Sequence, residues 1–306
     1  MVGKSGQITG VSGPARQELV DKIKSYVEVT KPRSVFLLVF TALATMIVAL
    51  PPQPLSLLHW TKAVLAIILA CSGVNAVSCY VDRDIDAVME RTRHRPIPSG
   101  RIAPPYKALY WGLLQFALAL ALAAWINWLA FTCILLGMLG YVGVYSLWLK
   151  RRSSWNIILG GFSGGLPVLF GWAAVRGEIS WLAVLLALLV VFWIPNHIWN
   201  LAIFFREDYR RVGVPMLPVV CAVRRTLFFI LLTVVAMLVL SLAVYRVGGM
   251  GPVYYWTALI SGLAVLAGNL YLYFNCDNKS AWWLYKLSSP YLFLLFLALI
   301  IDKWVR

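Results

Sequence analysis

Four of the chain's twelve acidic residues fall within positions 82–90: Asp82, Asp84, Asp86 and Glu90. They belong to the stretch Asn75-Ala-Val-Ser-Cys-Tyr-Val-Asp-Arg-Asp-Ile-Asp-Ala-Val-Met-Glu-Arg-Thr-Arg-His-Arg-Pro. On a helix, at about 100° per residue, Asp82 and Asp86 lie one turn apart on one face. Ser78 lies a turn earlier on that face, Asn75 falls in the same arc, and Asp84 points the opposite way. Convergent carboxylates repel one another and need a positive partner. A hard divalent cation answers that need, and magnesium favours a few carboxylates completed by phosphate oxygens and water. The pattern therefore suits a divalent cation such as Mg2+ at Asp82 and Asp86 and implies a phosphorylated ligand. Arg83, Arg91, Arg93 and Arg95 surround the acids, and Lys150, Arg151, Arg152 and Arg206 come from other polar loops. Guanidinium forks suit phosphate oxygens, so these bases fit the same ligand.

A second polar group occurs much later, in Trp193-Ile-Pro-Asn-His-Ile-Trp-Asn-Leu-Ala-Ile-Phe-Phe-Arg-Glu-Asp-Tyr-Arg-Arg-Val-Gly-Val-Pro-Met-Leu-Pro. Glu207 and Asp208 follow an apolar run, as the first acids do. Asn196, His197 and Asn200 are polar groups inside that run, and an ionisable residue there is a functional candidate. His197 could ligate a metal or haem iron, or hydrogen-bond a carboxylate. The five cysteines, at 71, 79, 133, 221 and 276, lack metal-site or redox spacing and read as small buried hydrophobes.

The elements that must position these groups are apolar helices. Of 306 residues, 61% are hydrophobic and 13% charged, with a formal net charge of +15. That much apolar residue excludes a disordered chain, and the composition is wrong for a soluble basic nucleic-acid binder, so no nucleic acid is expected. A spanning helix needs roughly 20 apolar residues. Nine runs qualify, near 34–51, 61–80, 106–124, 128–147, 156–174, 181–203, 226–245, 252–273 and 287–303. They predict an all-α polytopic bundle of about nine transmembrane helices, one domain over 34–306. Residues 1–33 read as a cytoplasmic N-terminal segment, partly amphipathic from Ala15 to Lys31 and without the apolar core of a signal peptide. Sorted by loop, 22 of the 27 lysines and arginines fall on the side of the N-terminus and 5 on the other. The positive-inside rule places the N-terminus and both acidic groups in the cytoplasm and the C-terminus outside.

Four stretches together resemble the UbiA superfamily of intramembrane prenyltransferases, and within it the branch that makes heme O. They are Tyr26-Val-Glu-Val-Thr-Lys-Pro-Arg; Tyr80-Val-Asp-Arg-Asp-Ile-Asp with Arg95-Pro; Tyr141-Val-Gly-Val-Tyr-Ser-Leu-Trp-Leu-Lys-Arg-Arg with Gly160-Gly-Phe-Ser-Gly-Gly-Leu-Pro; and the His197 stretch with Gly213-Val-Pro-Met-Leu-Pro. The superfamily's first motif is Asn-x-x-x-Asp-x-x-x-Asp. Its aspartates match Asp82 and Asp86, while Ser78 stands at the asparagine, with Asn75 close to the same face. Phe205 and Tyr209 stand where other branches carry a second set of aspartates. The resemblance implies transfer of a farnesyl group from farnesyl diphosphate to a vinyl group of heme b, with water supplying a hydroxyl. It implies Mg2+ as cofactor, Glu207 or Asp208 as a further catalytic acid beside Asp82 and Asp86, and His197 as a heme contact. It also implies diphosphate binding by Asn75, Ser78, Lys31, Arg33, Arg91, Arg95, Lys150 and Arg206. The other expected partners are the lipid bilayer of a prokaryotic plasma membrane and a heme A synthase or oxidase assembly machinery that receives product. Two alternatives stand beside it: a prenyltransferase acting on a quinone precursor or chlorophyll-like ring, and a membrane transporter.

Overall fold

The computed structural model describes residues 14–305. Residues 1–13 of the N-terminal segment, Lys4 among them, and Arg306 lie outside the described residues. All regular structure among the described residues is helical. A surface helix α1 (Pro14–Glu28) precedes α2 (Pro32–Val48) and α3 (Leu57–Val81), and the short α4 (Arg83–Val88) follows. Next come α5 (Tyr106–Ile126), and α6 (Trp128–Met138) continued by a π-helix over Leu139–Leu149. One broken span holds α7 (Asn156–Gly161), a 3-10 turn and α8 (Leu166–Arg176). The second half runs through α9 (Trp181–Phe204), α10 (Arg206–Arg211), α11 (Leu217–Val220), α12 (Val223–Val247), α13 (Pro252–Asn275) and α14 (Asn278–Val305).

Each of the nine expected runs is occupied by a helical segment. Eight are long and apolar enough to cross a membrane, and α2 joins them when taken with Arg16–Glu28, from which it bends by 52°. The bend is local to Lys31, whose φ of 56° is left-handed. α14 begins nine residues before its apolar run, because Trp282, Trp283 and Lys286 prolong the helix beyond its apolar part. The crossing of α3 on α5 rests on glycine: a Cβ at Gly73 would meet the Gly112 carbonyl oxygen at 2.6 Å, and one at Gly112 the Gly73 oxygen at 2.8 Å. Close backbone approach of this kind is how helices associate where no hydrophobic driving force acts between them. α14 closes the bundle against α2, the last span on the first.

The far end of the bundle is tied by Asp302. Its buried carboxylate accepts the Tyr254 backbone N–H at 2.9 Å, supplying the first turn of α13 with an acceptor.

Candidate active site

Two spans end in the same way. After α3 the backbone leaves helical geometry at Asp82 (φ −91°, ψ 7°) and resumes as the six-residue α4. After α9 it does so at Phe205 (φ −97°, ψ 29°) and resumes as the six-residue α10. The ends meet, since the Arg91 backbone N–H donates to Asp208 Oδ2 at 3.4 Å. Between them comes the end of the π-helix. Its wider turn pairs residues five apart, with the Lys150 N–H on the Tyr145 oxygen at 2.8 Å. Long π-helical segments are rare and concentrate at functional sites. This one carries Lys150 to Asp82.

Despite the helix break, Asp82 and Asp86 remain one turn apart, because the Asp86 N–H donates to the Asp82 carbonyl at 2.8 Å. Both side chains are buried. Lys150 Nζ lies 2.6 Å from Asp82 Oδ2, and the Ser78 hydroxyl donates to the same oxygen at 3.4 Å. Arg95 donates to Asp86 Oδ2 at 2.7 Å. Each carboxylate thus has its own cation, as desolvated charges require. Asp82 Oδ1 is buried without a hydrogen-bond partner, and so are Nε of Arg91 and Nε of Arg206. The Arg91 guanidinium lies over the Phe205 ring, 5.5 Å from its centroid. Lys31, at the bend before α2, sits in the field of Asp82 and of the like-charged Arg95.

The loop after α4 closes over this group. Thr92 is fully buried and its hydroxyl donates to the Asp86 carbonyl at 3.1 Å. Ile97 and Ile102 join Val29, Ala76, Cys79 and Ala108 in a small apolar cluster. Arg101 clamps the loop to Glu28 at the end of α1 through a two-point ion pair.

Other expected residues stand elsewhere. Asp84 faces outward, as its helical phase predicts, and is forked by Arg151 at 2.6 and 2.7 Å. That hydrogen bonding holds its carboxyl down at about 2. Glu207 is exposed and pairs with Arg210, whereas Asp208 is buried, so Asp208 is the acid brought to Arg91. Asn75 turns its amide to the Cys71 carbonyl at 2.9 Å, leaving Ser78 as the residue that touches Asp82. Arg33 is exposed in the first turn of α2.

His197 lies seven residues before the end of α9, about 10 Å deeper at 1.5 Å per residue. It is sandwiched by Trp193 and Tyr285, with ring centroids 4.6 Å away on each side. Its Nδ1 is 2.6 Å from the Ser288 hydroxyl, which itself donates to the Tyr285 carbonyl at 2.6 Å. Ser288 thus ties the imidazole to α14, with the direction of that hydrogen bond set by the tautomer. Neither Tyr285 nor Ser288 was marked by the sequence, because nothing local to α14 announces a histidine on α9.

Among the described residues no three His, Cys, Asp or Glu side chains converge as a complete metal cage. Two hard carboxylates with an unpartnered buried oxygen nevertheless fit a magnesium ion that takes its other ligands from phosphate and water. Residues 37–300 match the model of the UbiA prenyltransferase family. The chain belongs to that family. A protoheme IX farnesyltransferase of Desulforudis audaxviator is 60% identical over 286 residues, 94% of this chain and 90% of that protein. One from Symbiobacterium thermophilum is 42% identical, covering 92% and 94%. Among solved structures, a digeranylgeranylglyceryl phosphate synthase superposes with a TM-score of 0.77 at 20% identity, over 94% of this chain and all of the other. A UbiA homologue from Archaeoglobus fulgidus bound to DMAPP and Mg2+ gives 0.65 at 17% identity, over 89% and 99%. These likenesses establish the UbiA fold, an all-helical integral membrane architecture, and an enzyme of the prenyltransferase class.

Proposed function

We propose that this UbiA-family enzyme transfers the farnesyl group of farnesyl diphosphate to a vinyl group of heme b, giving heme O. The prenyl-transfer chemistry rests on one observation: a buried carboxylate pair, each neutralised by its own cation, is followed in the same loop by Arg91, whose buried Nε has no partner. Such a group receives a diphosphate and the positive ion that accompanies it. The acceptor rests on the likeness to relatives named protoheme IX farnesyltransferase.

Asp82 and Asp86 would hold the magnesium ion. When bound, that ion neutralises charge on the leaving diphosphate. Arg91 and Arg206, with free Nε donors, and Lys31, Lys150 and Arg95 bind the phosphate oxygens and stabilise the charge that grows as the C1–O bond breaks. Asp208 holds the loop at Arg91 in register with α10. The loop over the site keeps bulk water from the allylic cation. The vinyl carbon bonds to C1, water captures the resulting cation beside the porphyrin, and one proton is released. His197, as an imidazole within the bundle, suits heme iron or a porphyrin edge. The aromatic rings stacked on it suit a flat macrocycle.

The charge asymmetry supports a cytoplasmic acid site in a prokaryotic plasma membrane, with the C-terminus outside. On α1, exposed Leu19, Ile23 and Val27 form a stripe between Lys22 and Lys24, which suits a helix lying in the headgroup layer. A lipophilic product suits transfer within the membrane to a heme A synthase. The deciding assay supplies the purified enzyme with farnesyl diphosphate, Mg2+ and either heme b or an aromatic acid, and reads products by mass. Farnesylated hydroxyethyl heme is expected. Prenylation of the aromatic acid alone would refute the acceptor.

A further inference from the structure

The Lys150–Asp82 and Arg95–Asp86 pairs have a consequence for how the metal enters. The carboxylate pair is already neutral as the protein folds, with Lys150 Nζ at 2.6 Å and Arg95 at 2.7 Å from the oxygens a cation would use. Lys150 is held there by geometry rather than by chance. It ends the π-helix, its carbonyl accepts the Asn156 amide at 3.3 Å, and its side chain is largely buried. A divalent ion arriving alone would add two charges to a neutral, buried carboxylate pair. Such a charge in a low-dielectric site is strongly opposed. An ion arriving with a diphosphate adds net negative charge, which the unsatisfied arginine donors are placed to meet.

We propose that Lys150 is a resident counter-ion which the incoming metal–diphosphate displaces from Asp82, its ammonium passing from the carboxylate to a phosphate oxygen. Metal and diphosphate then bind as a unit, and neither occupies the site tightly alone. The exchange leaves Lys150 paired before and after, so a single buried ammonium serves both to keep the empty site stable and to hold the substrate. No covalent bond changes. The inference rests on the proposed metal role of Asp82 and Asp86.

Manganese provides a magnesium-like probe. Equilibrium dialysis of the full-length detergent-purified protein measures bound Mn2+ alone and with farnesyl thiodiphosphate, an unreactive analogue. The wild-type protein should hold Mn2+ at least tenfold more tightly with the analogue than without. Lys150→Met, by removing the competing ammonium, should bind Mn2+ alone at least tenfold more tightly than the wild type and lose most of the analogue's enhancement. Lys150→Arg keeps the charge and should behave like the wild type with Mn2+ alone. The wild-type comparison needs no variant: equal Mn2+ affinity with and without analogue overturns the proposal. So does an unchanged metal-alone affinity in a Lys150→Met protein whose unfolding curve shows it folded at the assay temperature. Failure of the underlying metal reading looks different, because Asp82→Asn would then retain Mn2+ in the presence of analogue as well as the wild type does.

Discussion

Replacing Arg95 by methionine separates what this residue does for the fold from what it does for the substrate. Its guanidinium is 24% exposed and the Asp86 side chain only 4%. Removing one partner of a buried pair strands the other charge, at a cost of roughly 3–5 kcal/mol. Because Arg95 retains some solvent, the low end applies, and Arg95→Met should destabilise the protein by about 3 kcal/mol. Asp86→Asn in the same chain removes the stranded charge and should recover most of that loss. The two substitutions are therefore coupled, with an interaction of about 2 kcal/mol favouring the double variant over the sum of the singles. The assay is thermal unfolding in one detergent, read by intrinsic fluorescence and run for the wild type, both singles and the double variant. Farnesyl transfer is measured on the same preparations. The double variant should be stable and inactive. If its melting temperature is no higher than that of Arg95→Met, the lost stability did not come from a stranded Asp86 and the electrostatic reasoning is wrong.

The other expectations are narrower. Glu207→Gln should change kcat/KM less than about twofold, since its carboxylate is exposed and tied to Arg210, while Asp208→Asn should lower it by about 100-fold or more; equal effects in the transferase assay would remove the distinction. Asp302→Ala should destabilise by about 1–2 kcal/mol through the first turn of α13 and leave turnover per folded molecule unchanged, as melting and activity together would report. Asp84→Asn tests acid behaviour. The Asp84 carboxyl is held at about 2 in the folded protein against 3.8 ordinarily. Its stabilisation is therefore present above about pH 4 and lost as pH falls toward 2. With both partners well exposed it amounts to less than ~1 kcal/mol. The melting difference between wild type and variant should shrink over that window, and a difference that grows on acidification would contradict the sign.

The parts of this molecule that were legible in its sequence are those set by one helix at a time. Uninterrupted apolar runs located the spans to within a few residues at most ends, because lipid tolerates no unpaired backbone. The four-residue spacing of Asp82 and Asp86 survived even a break in the helix, since the hydrogen bond from residue 86 to residue 82 bridges it. Phase also sent Asp84 outward. Choosing between Glu207 and Asp208 needed more, because adjacent residues differ by about 100° and only the neighbouring loop decides which is covered.

Partnerships were illegible for a different reason. Topology alone fills the loops of the acid side with arginine and lysine, so nothing local marks Lys150 rather than Arg83 as the cation of Asp82. That assignment depends on π-helical winding over Leu139–Leu149, and apolar periodicity is too blunt to tell five-residue from four-residue bonding in a uniformly apolar segment. The repeated span–break–short-helix units show the same division. Their backbones match at Asp82 and Phe205, yet one break holds a carboxylate under an ammonium and the other a phenyl ring under a guanidinium. A shared backbone thus offers two ways to place positive charge at the end of a membrane helix. One uses an acid that can be handed to a metal. The other uses an aromatic face that cannot be, so it leaves Arg91 with a guanidinium nitrogen committed to no carboxylate and free for an anion. The asymmetry between the two breaks would make the one at Asp82 hold the ion and the one at Phe205 orient Arg91 toward a phosphate.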